Sequence, residues 1–132
     1  MFAGRIGEDL ARGLPSHGVV ASQDRDVLLL DSSVRADLAR AMTDGAGVLR
    51  TAESLASTSK TLAELANRTS TAPSPAAWEA TGLHAVATAL VDAAIRREET
   101  RGTHWREDFP ELSAAWRGHL VTTLDGTIFE PV

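Results

Sequence analysis

The feature that most narrows what this chain can become is a long, apolar stretch after its last pair of neighbouring prolines. From about Ala76 to Thr100, Trp78, Leu83, Val86, Leu90 and Ala94 recur at helical spacing, with Val91 and Ile95 one step round. Apolar residues at that period make a helix with a wide non-polar arc. A helix apolar over so wide an arc is expected to sit centrally, covered by other helices. Gly102, following Arg96, Arg97 and Arg101, is the expected stop, since basic residues favour the negative end of a helix dipole.

Two further helices are expected to supply that cover. Asp31-Ser32-Ser33 offers capping chemistry for a helix with Val34, Leu38 and Met42 on one face, which Gly45 and Gly47 interrupt. A second then places Val48, Ala52, Leu55, Ser59, Leu62 and Ala66 at alternating steps of four and three. Thr69 to Pro75 reads as a loop, because its two prolines cannot continue a helix. After the charged segment, His119–Leu124 and Thr127–Glu130 flank Asp125-Gly126, which predicts a two-strand hairpin with Asp-Gly at its turn. The fold class is therefore mainly α: a three-helix, spectrin-like up-down-up bundle with a short C-terminal β-hairpin.

Ahead of the bundle, Phe2, Ile6 and Leu10 form one apolar stripe in a helix over residues 1–14. No capping residue precedes Phe2, so the segment reads either as a helix remnant or as a frayed terminus. Residues 15–31 form a linker whose apolar run, Val27 to Leu30, is expected to pack a connector against the core. The bundle and hairpin take residues 32–132.

At 132 residues and 43% hydrophobic, the chain can bury the core this arrangement needs. It has no cysteine, which excludes disulfides, thiolate zinc sites and thiol nucleophiles. The net charge of −5 lacks the basic stripe with which nucleic-acid binders displace counterions. No apolar run approaches the roughly 20 residues that span a bilayer. A soluble, cytoplasmic protein is expected, with no nucleic-acid partner and no membrane span.

Catalytic signatures are mostly absent from the sequence. Gly45-Ala-Gly47 lacks the third glycine of a dinucleotide fingerprint, and Arg50 stands in its place. The four histidines, His17, His84, His104 and His119, are scattered without metal-ligand spacing. His84 reads as a satisfied core or boundary residue. No nucleophile–base pair, metal site or cofactor loop is evident.

The densest charge lies between Arg96 and Glu111, four arginines against five carboxylates. In an extended strand His104, Arg106 and Asp108 would project to one side, and Trp105, Glu107 and Phe109 to the other. Arginine beside carboxylates and an imidazole suits an anion site or a docking surface. A solvated charge cluster at a helix end has the same composition.

Arg97, Glu99, Arg101, Gly102, His104, Arg106, Asp108 and Pro110 spell Arg-x-Glu-x-Arg-Gly-x-His-x-Arg-x-Asp-x-Pro. This pattern resembles the C-terminal signature of the succinate dehydrogenase/fumarate reductase flavoprotein family, with Thr100 where serine is usual. Met42 to Leu55 is similar to the family's Gly-Val-x-Arg helix start. Phe2-Ala-Gly-Arg-Ile-Gly looks like the end of the helix that follows the flavin-lining segment. Thr81-Gly-Leu-His84 departs from the family, which often has Asn-Leu or Asn-Met there. The absence of Tyr, the single Lys and the short tail favour the L-aspartate oxidase branch over the dehydrogenase and reductase subunits.

The resemblance implies FAD in the full-length enzyme and oxidation of L-aspartate to iminoaspartate on the route to NAD. It places the catalytic and cofactor-binding residues ahead of Phe2 and none in this chain, which alone should be inactive. The implied partner is the flavin-binding domain of the same polypeptide, with Arg101, His104, Arg106 and Asp108 as candidate docking residues. A stand-alone helical interaction module is the alternative from a different class.

Overall fold

The computed structural model describes residues 11–13, 28–123 and 125–132. The expected helix over residues 1–14 lies outside the described residues except for 11–13, and the linker 15–31, with His17, except for 28–31.

The first described element, β1 (Leu29–Leu30), is the end of the segment read as a linker, and both its side chains are buried. It pairs antiparallel with β3 (Thr69–Ser70), so the expected loop begins as a short strand. The Leu30 N–H donates to Thr81 Oγ1 (2.9 Å), pinning this strand to the third helix.

Helix α1 (Val34–Gly45) buries Val34 and Leu38, with Met42 partly covered, on the face the sequence predicts. Its start is organised by Asp31, whose carboxylate accepts from the Ser33 N–H (2.9 Å). The last residue of the helix passes close to α2 (Ala52–Leu65), where a Cβ on Gly45 would strike Thr58 Oγ1 and the Ser54 carbonyl.

The α2 stripe differs from expectation. Its buried residues are Leu55, Thr58, Leu62 and Leu65, while Val48 is 80% exposed and precedes the helix. The helix begins later than the periodicity suggests because Thr51 caps it. Thr51 Oγ1 accepts from the Ser54 N–H (3.1 Å) and Ser54 Oγ returns the favour at the Thr51 N–H (3.1 Å). Thr58 is tolerated inside because its hydroxyl donates to the Ser54 carbonyl (2.9 Å).

Helix α3 runs Pro75–Arg96. Pro75 opens it rather than ending the loop, since a first-turn proline lacks only an N–H that would have no partner, and Ser74 caps the Ala77 N–H (3.1 Å). The helix ends at Arg96, short of Thr100, and Gly102 plays no part in stopping it.

Its inward residues are Ala77, Ala80, Ala87, Val91 and Ala94, whereas Trp78, Leu83, Val86 and Leu90 are exposed. Small residues let the three helices approach closely, so the large apolar arc points away from the bundle instead of into it. His84 donates from Nε2 to the Leu62 carbonyl (2.8 Å) and is half-buried against α2.

The three helices pack as an up-down-up bundle around Leu30, Val34, Leu38, Leu62, Leu65 and Val91, with Ala80 and Ala87 filling the closest approaches. Beyond α3, a two-residue strand β4 (Trp105–Arg106) pairs in parallel with β2 (Leu49–Arg50). A 3-10 turn (Ala114–Trp116) then leads to the hairpin of β5 (Gly118–Thr123) and β6 (Gly126–Pro131). The hairpin register joins Thr123 to Gly126, so Gly126 (φ +135°) opens β6 and the turn centre lies one residue earlier than Asp-Gly would place it.

Candidate functional site

The signature segment folds back over one end of the bundle. Arg101 and His104 exchange backbone hydrogen bonds (2.9 and 3.0 Å), closing a turn in which Gly102 takes φ +59°. The following residues lie beside β2, and the Glu107 N–H donates to the Arg50 carbonyl (2.9 Å). That end of the bundle gathers the C-termini of α1 and α3 and the N-terminus of α2.

Arg106 is 2% exposed. Its Nη1 donates to the carbonyls of Ala94 (2.8 Å) and Ile95 (3.2 Å), the last turn of α3, and to that of Arg97 (3.4 Å). Its Nε and Nη2 hold both oxygens of Asp108 at 2.8 Å. Asp108 Oδ2 in turn accepts the Ala52 N–H (2.8 Å) at the start of α2. A cation thus sits on the negative end of one helix and an anion on the positive end of the next, the favourable sense for both dipoles. The Arg106 guanidinium, with the Ala52 N–H, holds the Asp108 carboxyl well below the usual carboxylate range against the opposing effect of burial.

Glu99 is fully buried. Oε1 accepts from Arg97 Nη1 (2.6 Å) and Arg101 Nε (2.8 Å), and Oε2 from Arg101 Nη2 (3.0 Å) and the Ser113 N–H (2.9 Å). These donors, Arg101 foremost, draw its pKa down to about 2 although burial opposes them. Arg97 continues to the carbonyls of Trp116 (2.9 Å) and Gly118 (2.8 Å), tying the cage to the hairpin.

His104 completes the bracket. Its Nδ1 accepts from Arg50 Nη1 (3.0 Å) and its Nε2–H donates to the Arg97 carbonyl (3.0 Å), partners that assign the neutral tautomer. Burial, aided by the charges of Arg50, Arg106 and Arg97, lowers its pKa, while the bond to the Arg97 carbonyl opposes. Arg50 Nε donates to Gly47 (2.9 Å) and Ala46 (3.2 Å) carbonyls just past α1. With both ring nitrogens engaged, His104 has no free lone pair with which to take a substrate proton.

The structure therefore brings His104, Arg106 and Asp108 together at the helix ends and sets Arg101 at their edge, exposed, with its guanidinium on Glu99. The alternation expected of an extended strand fails at Phe109. The Phe109 N–H bonds the Arg106 carbonyl (3.1 Å), which turns the chain and lays the ring 4.9 Å from the same guanidinium. Arg50 was missed as a member of the bracket. Its position in the similarity to the family's Gly-Val-x-Arg helix start was the available signal. Among the described residues, no three His, Asp or Glu side chains are arranged to hold a metal ion.

Residues 35–128, from α1 into the hairpin, match the family model described as "Fumarate reductase flavoprotein C-term". The chain belongs to this family. An L-aspartate oxidase of Streptomyces coelicolor is 45% identical over an alignment of 107 positions that covers 74% of this chain and 18% of that protein. A fumarate reductase flavoprotein subunit of Mycobacterium tuberculosis is 31% identical over an alignment of 112 positions that covers 76% of this chain and 18% of that one. The chain thus spans about a fifth of the length of the curated relatives it matches.

Among solved structures, the Mycobacterium smegmatis Sdh1 complex in its apo form superimposes with a TM-score of 0.63 at 22% identity, covering 98% of this chain and 24% of that one. The E. coli quinol fumarate reductase FrdA gives 0.58 at 23% identity, covering 98% and 23%. At those identities the likeness establishes the fold. The chain is thus a C-terminal domain of this flavoprotein family. Among the described residues, no helix is long and apolar enough to cross a membrane.

Proposed function

We propose that this chain is the C-terminal helical domain of an L-aspartate oxidase, a cytoplasmic enzyme that oxidises L-aspartate to iminoaspartate for the synthesis of NAD. The observation that carries this reading is the 45% identity to an L-aspartate oxidase, against 31% to a fumarate reductase subunit over a stretch of similar length. The absence of Tyr and the single Lys agree with it. Bound FAD would accept the two electrons removed from the substrate, at residues that this chain does not contain. Residues 1–14 would end the last helix of the flavin-binding domain. Residues 15–31 would link it to the bundle and hairpin of 32–132, with Leu29–Leu30 already pinned into the core.

In this reading the bundle supports the flavin-binding domain and is inactive alone. Arg101, His104, Arg106 and Asp108 serve the docking, Arg101 from its exposed edge and the other three by holding the bracket rigid beneath it. The test is anaerobic reduction of the flavin in the polypeptide that carries this domain. Bleaching by L-aspartate and not by succinate supports the oxidase. Bleaching by succinate alone favours the second reading, a fumarate reductase or succinate dehydrogenase flavoprotein subunit, to which the family match and the tuberculosis relative point.

A further inference from the structure

The outward side of α3 differs from every other solvent-facing helix surface described in the bundle. The exposed faces of α1 and α2 carry Arg35, Arg40, Asp44, Glu53, Lys60 and Glu64. On α3, between Glu79 and Arg96, the only acidic or basic side chain other than His84 is Asp92, and it is turned to Arg96 (2.8 Å) and Thr127 (2.9 Å). Leu83, Val86, Leu90 and Ala93 follow one another at steps of three, four and three and so share one face. Val86 and Leu90 are 59% and 58% exposed, and as neighbours on one face they form a contiguous patch, unlike the singly scattered apolar residues of an ordinary surface. Loss of charge from such a patch, with large apolar side chains kept, is the composition of an interface core.

The dimensions of the row select its occupant. Ten residues of helix extend about 15 Å, and a strip one helix wide offers a few hundred Å2, well below the ~800 Å2 per partner of a stable free association. A partner on the same polypeptide needs far less area, because tethering replaces a bimolecular encounter with an intramolecular one. The relatives carry such a body: four-fifths of the Streptomyces L-aspartate oxidase lies outside the matched part.

We propose that the outward face of α3, centred on Leu83, Val86 and Leu90, is the seat on which the flavin-binding part of the same polypeptide rests through an apolar, uncharged surface. The inference rests on the reading of this chain as the C-terminal domain of a flavoenzyme. It adds a second docking face, along the flank of α3, to the charged bracket at the bundle end.

The chain has no cysteine, so single-cysteine probes can be placed cleanly. Val86→Cys and, on the charged face of α2, Lys60→Cys are made in the flavin-loaded polypeptide and in the 132-residue chain, and maleimide labelling is followed by mass spectrometry of the peptides. Expected is labelling of V86C at least about tenfold slower than K60C in the long polypeptide, and comparable labelling of the two in the short chain; protection of that size reports a covered site. Equal labelling in a long polypeptide that retains flavin and oxidises L-aspartate overturns the seat and leaves the functional reading standing. A polypeptide that binds no flavin overturns both. Protection of V86C in the short chain that grows with its concentration assigns the face to a second copy and overturns the proposal.

Discussion

At Arg106 a guanidinium almost out of contact with water finds three backbone carbonyls and a carboxylate, and the ring of Phe109 covers its face. Truncating Arg106 takes the charged donor from the carbonyls at the end of α3 and the partner from the more exposed Asp108, and a lost hydrogen bond to a charged group costs about 1.5–3 kcal/mol. Arg106→Ala is expected to lose stability on that scale in urea unfolding of the chain. Arg106→Lys should recover only part, because an ammonium cannot hold both Asp108 oxygens while reaching the end of α3. Unfolding midpoints equal to that of the parent chain would remove the double-capping role.

The same cluster dictates a pH dependence. Glu99 titrates at about 2 in the fold and Asp108 is also depressed, so their stabilisation is present above the ordinary carboxylate pKa and is lost as pH falls toward 2. His104 is depressed below its ordinary 6.5, so the unfolded chain binds its proton first and stability begins to fall as pH drops through that value. Stability should be level above about pH 7, decline from about 6.5 and decline more steeply below about 4.5, the ordinary values of these groups. His104→Gln, which keeps an acceptor and a donor, should flatten the upper part alone. A parent profile with no slope between pH 5 and 7 would contradict the assignment of His104 as a neutral, doubly bonded group.

Among elements, α1 was legible from its stripe of Val34, Leu38 and Met42, and the structure buries that face. Helix α2 was legible as a helix but not in phase. Leu55 and Leu62 fit two nearly equal stripes, and a buried Thr58 that satisfies its own hydroxyl cannot be told from an exposed one by periodicity. Helix α3 was misread for the opposite reason, an excess of apolar positions. Two non-polar arcs lie back to back, one of alanines and one of large side chains, and only the packing shows that the alanines face inward. In the charged bracket the residue types were legible in the signature, but their partners were not. Backbone carbonyls at helix ends leave no mark in sequence, so the role of Arg106 as a cap on α3 is visible only in the folded structure.

Gly45 tests the packing that hides in such patterns. A methyl there meets both the Thr58 hydroxyl and the Ser54 carbonyl, and the second is backbone that cannot swing aside. Gly45→Ala is expected to cost about 1–3 kcal/mol through overpacking, despite alanine's better helix propensity. A stabilised variant in thermal unfolding would mean that α1 and α2 do not cross this closely.

Over the whole molecule, the helices and the hairpin are joined differently. The helices share one core, whereas β5, β6 and the turn before them reach the bundle through Arg97 on the Trp116 and Gly118 carbonyls and Thr127 on Asp92, with Trp116 of that turn edge-to-face on Phe129 (5.2 Å between centroids). A two-strand hairpin is marginal by itself in water, so its protection depends on those few attachments. Phe129→Ala removes the aromatic contact, worth about 0.5–1.5 kcal/mol beyond the area it buries, together with the burial itself. The expected result is local: faster amide hydrogen exchange over 118–131, with the protection of α1, α2 and α3 retained, because the lost contacts lie outside the shared core. The glutamate cage at Glu99 should hold as well, since Arg101 and the Ser113 N–H reach it without the hairpin. If exchange rises equally in the helices, the hairpin is a cooperative part of the bundle and its attachments carry more of the stability than their number suggests.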